Sequence, residues 1–356
     1  MKEYTILTIN PGSTSTKYTL YKGEQIVLEE KVAHSEAELK KYEKIFDQYE
    51  FRKDLILKSL QEKNINIKDL DAVVGRGGLL KPIPGGTYEV NEKMLDDLRT
   101  TTSEHASNLG APLAYNIAKD AGVKAYIVDP VVVDEFAEVA RISGNKNLER
   151  RSIFHALNQR AIAKQYAKEI GKKYDELNLV VVHMGGGISL GAHMQGKVVD
   201  NNNALDGEGP FTPERSGTLP AGQLVELCFS GKHPKAEIKK MLKGQGGMIS
   251  YIGTNDMLKV EQKALAGDKE SVFYSSAMAY QIAKEIGAYA TIFKGKLDAI
   301  LLTGGLANNK VVTDEIIPRV EWISKVKIYP HENEMQALML GAYNVLTNEE
   351  KVQIYS

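Results

Sequence analysis

Apolar, β-prone runs alternate along the chain with turns rich in Gly and Pro, and two of these alternations share one pattern. In the first, residues 4–9 and 16–21 are β-prone, and the six residues between them include a proline and a glycine. Six such residues are too few for a helix and too rich in helix breakers, so the pattern predicts a strand–turn–strand hairpin. Residues 178–196 repeat it with an apolar strand, a turn of small residues and a second strand.

The two hairpins correspond to each other residue by residue. Placing His183 on Asn10 also places Gly185 on Gly12 and the glycine at 196 on that at 23, without a gap. This match indicates an internal duplication, with one hairpin opening each half of the chain. A chain of 356 residues is also longer than one core usually holds, so two domains are expected.

Further periodic segments complete an alternation of strands and helices. Predicted strands cover 25–32, 70–74, 124–128, 298–302 and 326–329, and predicted helices cover 35–63 (as a solvated pair), 91–100, 110–121, 152–171, 222–229, 234–243, 256–266, 271–293 and 335–346. This order predicts an α/β fold.

The turn of the first hairpin carries groups that suit an anionic phosphoryl ligand. It combines the hydroxyls of Ser13 and Ser15, backbone N–H groups next to glycine, and a cation at Lys17. It is not a Walker loop, which needs GxxxxGK[ST] leading into a helix. A plain polar hairpin tip is the alternative, because turns favour these residues in any case.

Composition narrows the class of protein. The formal net charge of −1 argues against a nucleic-acid or membrane-surface protein, which would show a basic excess. The single cysteine, Cys228, excludes an internal disulfide and is expected to be a small core residue. No apolar run approaches the roughly 20 residues of a membrane span, and no signal-peptide pattern opens the chain. We therefore expect a soluble, cytoplasmic protein.

Three single residues stand where strands or helices would present them to a ligand. Arg76 is framed by glycines at a strand's end, where open sheets bind ligands, although it also suits a surface turn. Asp129 follows a strand and precedes a proline, so it either binds a metal or caps a turn. His155, expected on a helix beside Phe154, is either a core histidine or a catalytic one.

The second half adds further candidates. Arg215 is the one cation of an irregular loop over 207–220, a kind of loop that often binds ligands. Asp256 suits an ordinary helix N-cap. Glu332 and Glu334 stand near the start of the last helix, where either the helix dipole or a metal explains them. The remaining histidines have no metal-ligand spacing and receive no role: His34, His193, His233 and His331.

Taken together, these motifs resemble the acetokinase family of the actin-like superfamily of acetate and sugar kinases. Ten motifs follow the family's order: INPGSTSTK (9–17), VGRGG (74–78), NLGAPLA (108–114), VDP (128–130), RRSIFHALNQ (150–159), HMGGGIS (183–189), PERSGTLP (213–220), GTND (253–256), LLTGGLANN (301–309) and PHENEM (330–335). The resemblance implies a duplicated actin-like (ribonuclease H-like) α/β fold of two domains with mixed, five-stranded sheets and an interdomain cleft. The domains would be 1–149 with 337–356, and 150–336 with the adenosine-binding elements.

The resemblance also implies a role for each matched residue. The implied sets are Asn10, Ser13, Ser15 and Lys17 for the first phosphate loop; His183, Gly185, Gly186 and Gly187 for the second; Asp256, Gly304, Gly305 and Asn308 for adenosine; Glu334 with Asn10 for Mg²⁺; Arg76, Asp129, His155 and Arg215 for catalysis; and His105 as a histidine of the catalytic cleft.

The implied reaction is reversible transfer of a phosphoryl group from ATP to a short-chain carboxylate, giving ADP and an acyl phosphate. A carboxylic acid of pKa about 4–5 is already ionised at neutral pH, so no general base is needed. Two anions must meet, so cations carry the catalysis: Arg76, Arg215 and magnesium. Asp129 is assigned to magnesium or its water shell, and His155 to hydrogen bonding of the transferring group as a neutral or charged donor.

Two departures from the family pattern bear on the substrate. Acetate kinases have a longer segment where Gly75–Gly78 stands and carry Asn where Gly186 stands, and both differences fit the branch that accepts butyrate. Acetate, propionate and isobutyrate are the alternatives. A nucleotide-driven switch, another use of this fold, would not need arginines directed at a transferred phosphoryl group. The implied partners are a small carboxylate or acyl phosphate and a second copy of the chain, without nucleic acid or membrane.

Overall fold

A computed structural model describes residues 3–102, 104–330 and 333–356. Its strands are β1 Thr5–Pro11, β2 Ser15–Lys22, β3 Gln25–Ala33, β4 Ala72–Arg76, β5 Thr87–Glu89, β6 Lys124–Val128, β7 Asn178–Met184, β8 Ile188–Met194, β9 Lys197–Asn201, β10 Ala299–Thr303, β11 Val326–Tyr329 and β12 Gln353–Ile354. The expectations for His331 and Glu332 lie outside the described residues.

Helices separate most of these strands. They are α1 Glu36–Leu39, α2 Tyr49–Glu62, α3 Glu92–Thr100, α4 Gly110–Ala121, α5 Glu138–Arg141, α6 Ala156–Glu169, α7 Ala221–Phe229, α8 Lys235–Leu242, α9 Met248–Ile252, α10 Met257–Leu265, α11 Lys269–Ala290, α12 Lys310–Val320 and α13 Glu334–Leu346. Short 3₁₀ helices occur at Phe46–Gln48, Ile67–Asp69, Ala106–Leu109, Tyr174–Glu176, Thr291–Phe293 and Gly305–Asn308. No described helix is both long and apolar enough to cross a membrane.

The chain divides into two compact units. One comprises Met1–Val133 with Asn333–Ser356, and the other comprises Asp134–Glu332. Compared with the predicted boundaries, residues 134–149 belong to the second unit and residues 333–336 to the first. The assignment of a separate task to each domain stays a prediction.

Each unit contains one mixed sheet, and the two sheets share a strand order. The second unit has the order β11-β10-β7-β8-β9, with β7, β8 and β9 antiparallel and β7, β10 and β11 parallel. The first unit repeats this as β6-β4-β1-β2-β3 with the same directions, and extends the β6 edge by β5 and β12. The first sheet therefore has seven strands, two more than the resemblance implies, and the shared order confirms the duplicated fold class.

Helices cover both faces of the central strands, which explains why those strands are almost wholly apolar. In the second unit, Val180 and Val182 of β7 pack in the core formed with α10, α11 and α12, whereas Leu179 and Val181 pack with α6. In the first unit, α4 and α13 both pack against β1, β4 and β6. The two hairpins, β1–β2 and β7–β8, thus arise from the centres of the two sheets.

The ungapped match between the hairpins does not continue through their turns. Asn10 pairs with Lys17 across the first hairpin, whereas His183 pairs with Ser189, which is one residue closer along the chain. The following two-residue turns differ as well. Glycine 23, with φ of +58°, takes the first position of its turn, but glycine 196 takes the second position, after Gln195. The second hairpin is therefore one residue shorter.

Residues 35–63 form two helices, as predicted, but α1 is a single turn, and further turns and a 3₁₀ helix separate it from α2, which buries Arg52, Ile56 and Leu60. Two local predictions are wrong. The predicted helix over 152–171 begins only at Ala156, because the backbone of residues 152–155 is not helical. His155 is therefore the N-cap residue of α6 and does not lie within the helix. Cys228 is exposed on α7, whose described residues are all exposed or half-buried.

Candidate functional site

The first hairpin lines a cavity of about 390 Å³ in the first unit. The sequence-predicted residues that line it are Asn10, Ser13, Ser15, Lys17, Arg76 and His105. The turn is tight, because the Gly12 N–H donates to the Ser15 carbonyl over 2.7 Å. Lys17 also forms an ion pair of 3.1 Å with Glu29 on β3, so part of its charge is neutralised. The structure thus brings the predicted phosphate loop, one arginine and one histidine together.

Arg76, Asn10 and Glu334 form one polar cluster beside this cavity. Arg76 ends β4, and its Nη1 donates to Glu334 Oε2 over 2.8 Å and to Asn10 Oδ1 over 3.4 Å. Asn10 Nδ2 donates to the same Glu334 oxygen over 2.9 Å. Glu334 is the first residue of α13, where the helix dipole favours a carboxylate. Arg76 and Glu334 therefore hold each other in place.

His105 and Asp129 each accept a hydrogen bond from a backbone N–H group. His105 is the N-cap of the Ala106–Leu109 helix, and its Nδ1 accepts from the Ser107 N–H over 3.2 Å. Asp129 directly follows β6 with φ of +38°, a left-handed conformation that non-glycine residues seldom adopt. Its Oδ1 accepts from the Gly86 N–H over 2.7 Å. Asp129 thus joins the end of β6 to the residue before β5, in a left-handed conformation of the kind that clusters at functional sites. Both roles predicted for Asp129, metal binding and turn capping, stay predictions.

A second cavity, of about 320 Å³, lies in the second unit between the β7–β8 turn, α10 and the turn after β10. Four sequence-predicted residues line it: Gly185, Gly186, Gly305 and Asn308. Asn308 is oriented by Nδ2, which donates to the Pro330 carbonyl. Met257, Leu258 and Leu306 form apolar walls of this cavity, and apolar walls of this kind can pack against a flat heterocycle.

Two predicted adenosine residues have structural roles next to this cavity and do not line it. Asp256 is the N-cap of α10, accepts from the Lys259 N–H and forms a 3.0 Å ion pair with that lysine. Gly304 has φ of +88°, and a Cβ there would overlap the backbone of Met184. Gly304 therefore allows the turn after β10 to pack on the end of β7.

Arg215 reaches the second hairpin because Gly187 has no side chain. A Cβ at Gly187 would overlap the Arg215 guanidinium. Arg215 Nη1 donates to the Ala204 carbonyl over 2.6 Å, and Nη2 lies 3.8 Å from Glu214 Oε1. The Arg215 Nε is buried and has no hydrogen-bond partner among the described residues. Burial lowers the pKa of Arg215, and the neighbouring Glu214 opposes that shift.

His155 and His183 are stacked in the same unit, with ring centroids 3.8 Å apart and planes 14° from parallel. His183 Nδ1 lies 2.7 Å from Asn158 Oδ1, and His155 Nδ1 lies 2.7 Å from Ser189 Oγ. His183 of the predicted second phosphate loop and the predicted catalytic His155 are therefore in direct contact.

The comparisons with known proteins agree with this geometry. The model of the acetokinase family matches residues 137–355, which is more than half of the chain. The chain belongs to the acetokinase family. Acetokinase-family relatives include butyrate kinase 2 of Clostridium acetobutylicum, 56% identical over 354 residues that cover 99% of each chain.

Solved structures show the acetokinase-family fold as well. The acetate kinase of Porphyromonas gingivalis superposes with a TM-score of 0.80 at 18% identity, covering 96% of this chain and 100% of that one. A propionate kinase from Francisella tularensis gives a TM-score of 0.71 at 20% identity, covering 95% and 98%. At these identities the likeness is one of fold.

The residues predicted for magnesium are compatible with that ion. Mg²⁺ usually keeps several waters and takes one or two protein carboxylates together with substrate phosphates. Glu334 supplies one such carboxylate and Asn10 an amide group beside it. Within the described residues, no group of three His, Cys, Asp or Glu side chains could hold a metal by itself. In this acetokinase-family chain, Glu334 and Asn10 would offer one carboxylate and one amide to a bound Mg²⁺.

Arg52 contacts the turn of the first hairpin and is a residue that the sequence analysis missed. Only 1% of it is exposed, and its guanidinium donates to the carbonyls of Gly12 (2.7 Å), Ser13 (3.2 Å) and Ser15 (3.4 Å). It also donates to Gln48 Oε1 over 2.7 Å. All of its acceptors among the described residues are neutral. The helical spacing of α2 offered a signal, because position 52 lies on the buried face with Ile56 and Leu60.

Proposed function

We propose that the chain catalyses reversible phosphoryl transfer between ATP and the carboxylate of a short-chain fatty acid. The proposed reaction is butyrate + ATP = butanoyl phosphate + ADP, with direct in-line transfer. The observation that carries it is the 56% identity over nearly the full chain to a protein named butyrate kinase 2. The cavities of the two units add support, because one is lined by hydroxyls and cations and the other by glycines and apolar walls.

In this proposal the second unit holds the nucleotide. The adenine and ribose occupy the cavity at Gly305 and Asn308, and the glycines of the β7–β8 turn let backbone N–H groups approach the phosphates. Asp256 does not bind the nucleotide directly in this proposal. It caps α10 and so holds its neighbours Asn255 and Met257, which line the cavity. The first hairpin, with Ser13, Ser15 and Lys17, binds the transferred phosphoryl group.

The proposed chemistry relies on positive charge. The substrate carboxylate is already ionised at neutral pH, and its oxygen attacks the γ-phosphorus while the bond to the β–γ bridging oxygen breaks. Arg76 and Arg215 stabilise the charge that spreads over the equatorial oxygens, and His155 donates a hydrogen bond to the same group. Bound Mg²⁺, held by Glu334 with Asn10 beside it, would neutralise phosphate oxygens. His105 lines the cavity of the first hairpin as a further donor.

In this proposal Asp129 acts through the negative charge and the position of its carboxylate, and it does not transfer a proton. Its carboxylate already accepts from the Gly86 N–H, and the acid substrate has no proton to lose at neutral pH. Asp129→Asn should therefore be impaired at every pH. Recovery of kcat at high pH, in a profile shifted from wild type, would identify Asp129 as a base instead.

The decisive assay measures ADP release that depends on an added carboxylic acid, with the acyl phosphate trapped as its hydroxamate. Straight and branched acids of two to five carbons are compared at equal concentration, with ATP alone as the blank. The proposal predicts the highest kcat/KM for butyrate. Preference for acetate, propionate or isobutyrate would reassign the substrate within the family, and ATP hydrolysis without acyl hydroxamate would reject carboxylate kinase activity.

We also propose that the chain forms a homodimer or larger homo-oligomer. Helix α7 supports this, because its apolar side chains are exposed in the single chain, Phe229 by 86% and Val225 by 53%. Exposed apolar surface of this kind often becomes buried in assembly. Light scattering coupled to size-exclusion chromatography should give at least twice the monomer mass of 39.3 kDa. A single 39.3 kDa species would reject this proposal. A cytoplasmic location stays a prediction.

A further inference from the structure

A chain of hydrogen bonds in the second unit leads from Tyr174 to His155 through three buried side chains. The Tyr174 hydroxyl lies 2.7 Å from His193 Nδ1, and His193 Nε2 lies 3.0 Å from Gln159 Oε1. Gln159 Nε2 lies 2.8 Å from Ser189 Oγ, which lies 2.7 Å from His155 Nδ1. Gln159, Ser189 and His193 are each inaccessible to solvent. The directions of these bonds determine where the His155 proton resides.

The orientation of Gln159 follows from one atom that can only accept. The Gln159 Nε2 lies 3.0 Å from the Ser189 carbonyl oxygen, and a carbonyl oxygen requires a donor. The amide nitrogen therefore faces Ser189, and the amide oxygen faces His193. An amide oxygen only accepts, so His193 must carry its hydrogen on Nε2.

His193 is neutral at physiological pH. Complete burial, together with the nearby charge of Arg160, lowers the pKa of His193 to about 3. With its one hydrogen on Nε2, the ring accepts at Nδ1 from the Tyr174 hydroxyl. Tyr174 and His193 thus hold Gln159 in one orientation from the side opposite Ser189.

Ser189 Oγ receives two hydrogen bonds that cannot reverse. One comes from Gln159 Nε2 and the other, over 3.2 Å, from the backbone N–H of His155. A hydroxyl oxygen has two acceptor positions and one hydrogen. With both acceptor positions used, the Ser189 hydroxyl hydrogen points at His155 Nδ1. That nitrogen must then be an acceptor without a proton of its own.

We propose that Ser189, Gln159 and His193 are positioning residues that hold His155 as the neutral tautomer with its proton on Nε2. The importance of this for catalysis rests on the proposed function. In that reaction His155 offers an oriented Nε2–H donor to the phosphoryl oxygens, and not a proton acceptor. The sequence left open whether His155 is a neutral or a charged donor, and this arrangement favours the neutral form.

The direct test is the tautomer of His155, measured by long-range ¹H–¹⁵N correlation on the full chain labelled at histidine, without substrate. His155→Asn identifies the His155 signals by their loss. We expect the pattern of an Nε2-protonated neutral ring in the wild type at pH 7. Ser189→Ala and Gln159→Leu should each give a mixture of both tautomers, because the donor to Nδ1 is lost or misdirected.

A matched control removes a buried hydroxyl that is not hydrogen-bonded to His155. Ser275 on α11 is as buried as Ser189, and its Oγ has no hydrogen-bond partner among the described residues. Ser275→Ala should leave the His155 pattern unchanged. Ser189→Thr keeps a hydroxyl and should restore the Nε2-protonated pattern that Ser189→Ala loses. A general loss of packing would not be reversed in this selective way.

Kinetics provide a second measurement. Ser189→Ala should lower kcat by about tenfold or more, the scale for losing partners that orient a histidine, with a smaller change in the KM for ATP. A wild-type His155 that is protonated on Nδ1 or doubly protonated at pH 7 would overturn the proposal. So would an unchanged tautomer in Ser189→Ala. Failure of the proposed function is a separate result, because it would appear as a wild type without acyl phosphate formation.

Discussion

At the scale of single residues, Arg52 places a positive charge directly behind the turn of the first hairpin. Burial lowers the pKa of Arg52 only to about 10, so it stays charged at neutral pH. A buried charge without an ionic partner is costly, and Arg52 has only neutral acceptors among the described residues. By binding the turn carbonyls from behind, it leaves the opposite side of the turn for an anion. An anionic ligand would supply the missing counter-charge.

Arg52→Met should therefore weaken the use of acyl phosphate. Hydrogen bonds to charged groups contribute about 1.5–3 kcal/mol, so kcat/KM for butanoyl phosphate should fall by roughly 10- to 100-fold. The KM for ADP should change less, because the proposed nucleotide cavity lies in the second unit. Initial rates in the direction of ATP formation measure both constants.

The matched control for Arg52 is Arg99→Met. Arg99 is exposed and pairs with Asp96 at a distance of 3.0 Å, so its loss should leave both constants near wild type. Arg52→Lys keeps the charge with fewer hydrogen bonds and should lie between. An Arg52→Met variant with a lower melting temperature and wild-type kinetic constants would show that Arg52 serves stability alone.

At the scale of elements, the second hairpin is shaped by the space that Gly187 leaves for Arg215. Sequence motifs predicted a glycine-rich turn and a loop arginine as separate features. In the structure they are one feature, because any side chain at position 187 would occupy the place of the guanidinium. The turn therefore helps to set where Arg215 lies, although Gly187 and Arg215 are far apart along the chain.

Gly187→Ala should resemble Arg215→Ala in its effect on kcat. Arg215→Ala should lose roughly 10³-fold in kcat, the scale of an arginine that stabilises phosphoryl transfer. Gly187→Ala should lose a large part of that by displacing the same side chain, with a smaller change in nucleotide affinity. Steady-state kinetics and nucleotide titration measure the two effects.

Gly186→Ala controls for the added methyl group. A Cβ at Gly186 would lie 3.6 Å from the Glu214 carboxyl carbon, an ordinary contact distance. Because Gly186 lines the proposed nucleotide cavity, Gly186→Ala should raise the KM for ATP, but it leaves Arg215 in place and should lose much less kcat than Gly187→Ala. If Arg215→Ala retains more than a tenth of wild-type kcat, the transition-state role of Arg215 is wrong, whatever Gly187→Ala shows.

At the scale of the whole molecule, buried neutral histidines predict how stability responds to acid. The pKa of His193 is lowered to about 3 in the folded chain, against about 6.5 when unfolded. The folded value lies below the unfolded one, so the unfolded chain binds more protons as the pH falls between them. The contribution of His193 is thus complete above pH 6.5 and is lost as the pH falls towards 3. Each such group contributes about 1.4 kcal/mol per pH unit.

The melting temperature should accordingly fall from pH 7 to pH 5. His193→Asn should have a flatter dependence on pH, whatever its absolute melting temperature, because the titrating group is gone. His233→Asn is the control, since His233 is only half-buried and lies 3.0 Å from Glu237. Equal pH slopes for wild type and His193→Asn would contradict the argument.

Prediction from the sequence succeeded where a local pattern determines a local structure. The bounds of α4, β6 and β11 follow from apolar periodicity and from breakers beside them, and the two hairpins follow from their turns. It failed where contacts from elsewhere decide. Cysteine is a residue type that is usually buried, yet Cys228 is exposed on α7, whose described residues are all exposed or half-buried in the single chain.

The sequence alone determined the duplicated α/β order, the two glycine-rich hairpins and most residue types of the candidate site, because these depend on periodicity and on motifs of a few neighbouring residues. Only the tertiary structure decided which charges meet. Arg76 pairs with Glu334 across 258 positions, and Arg52 reaches the first hairpin from α2. The chain of hydrogen bonds to His155 likewise joins Gln159 of α6 to Ser189 and His193 of β8. Such pairings depend on packing between elements far apart along the chain, which no local pattern encodes.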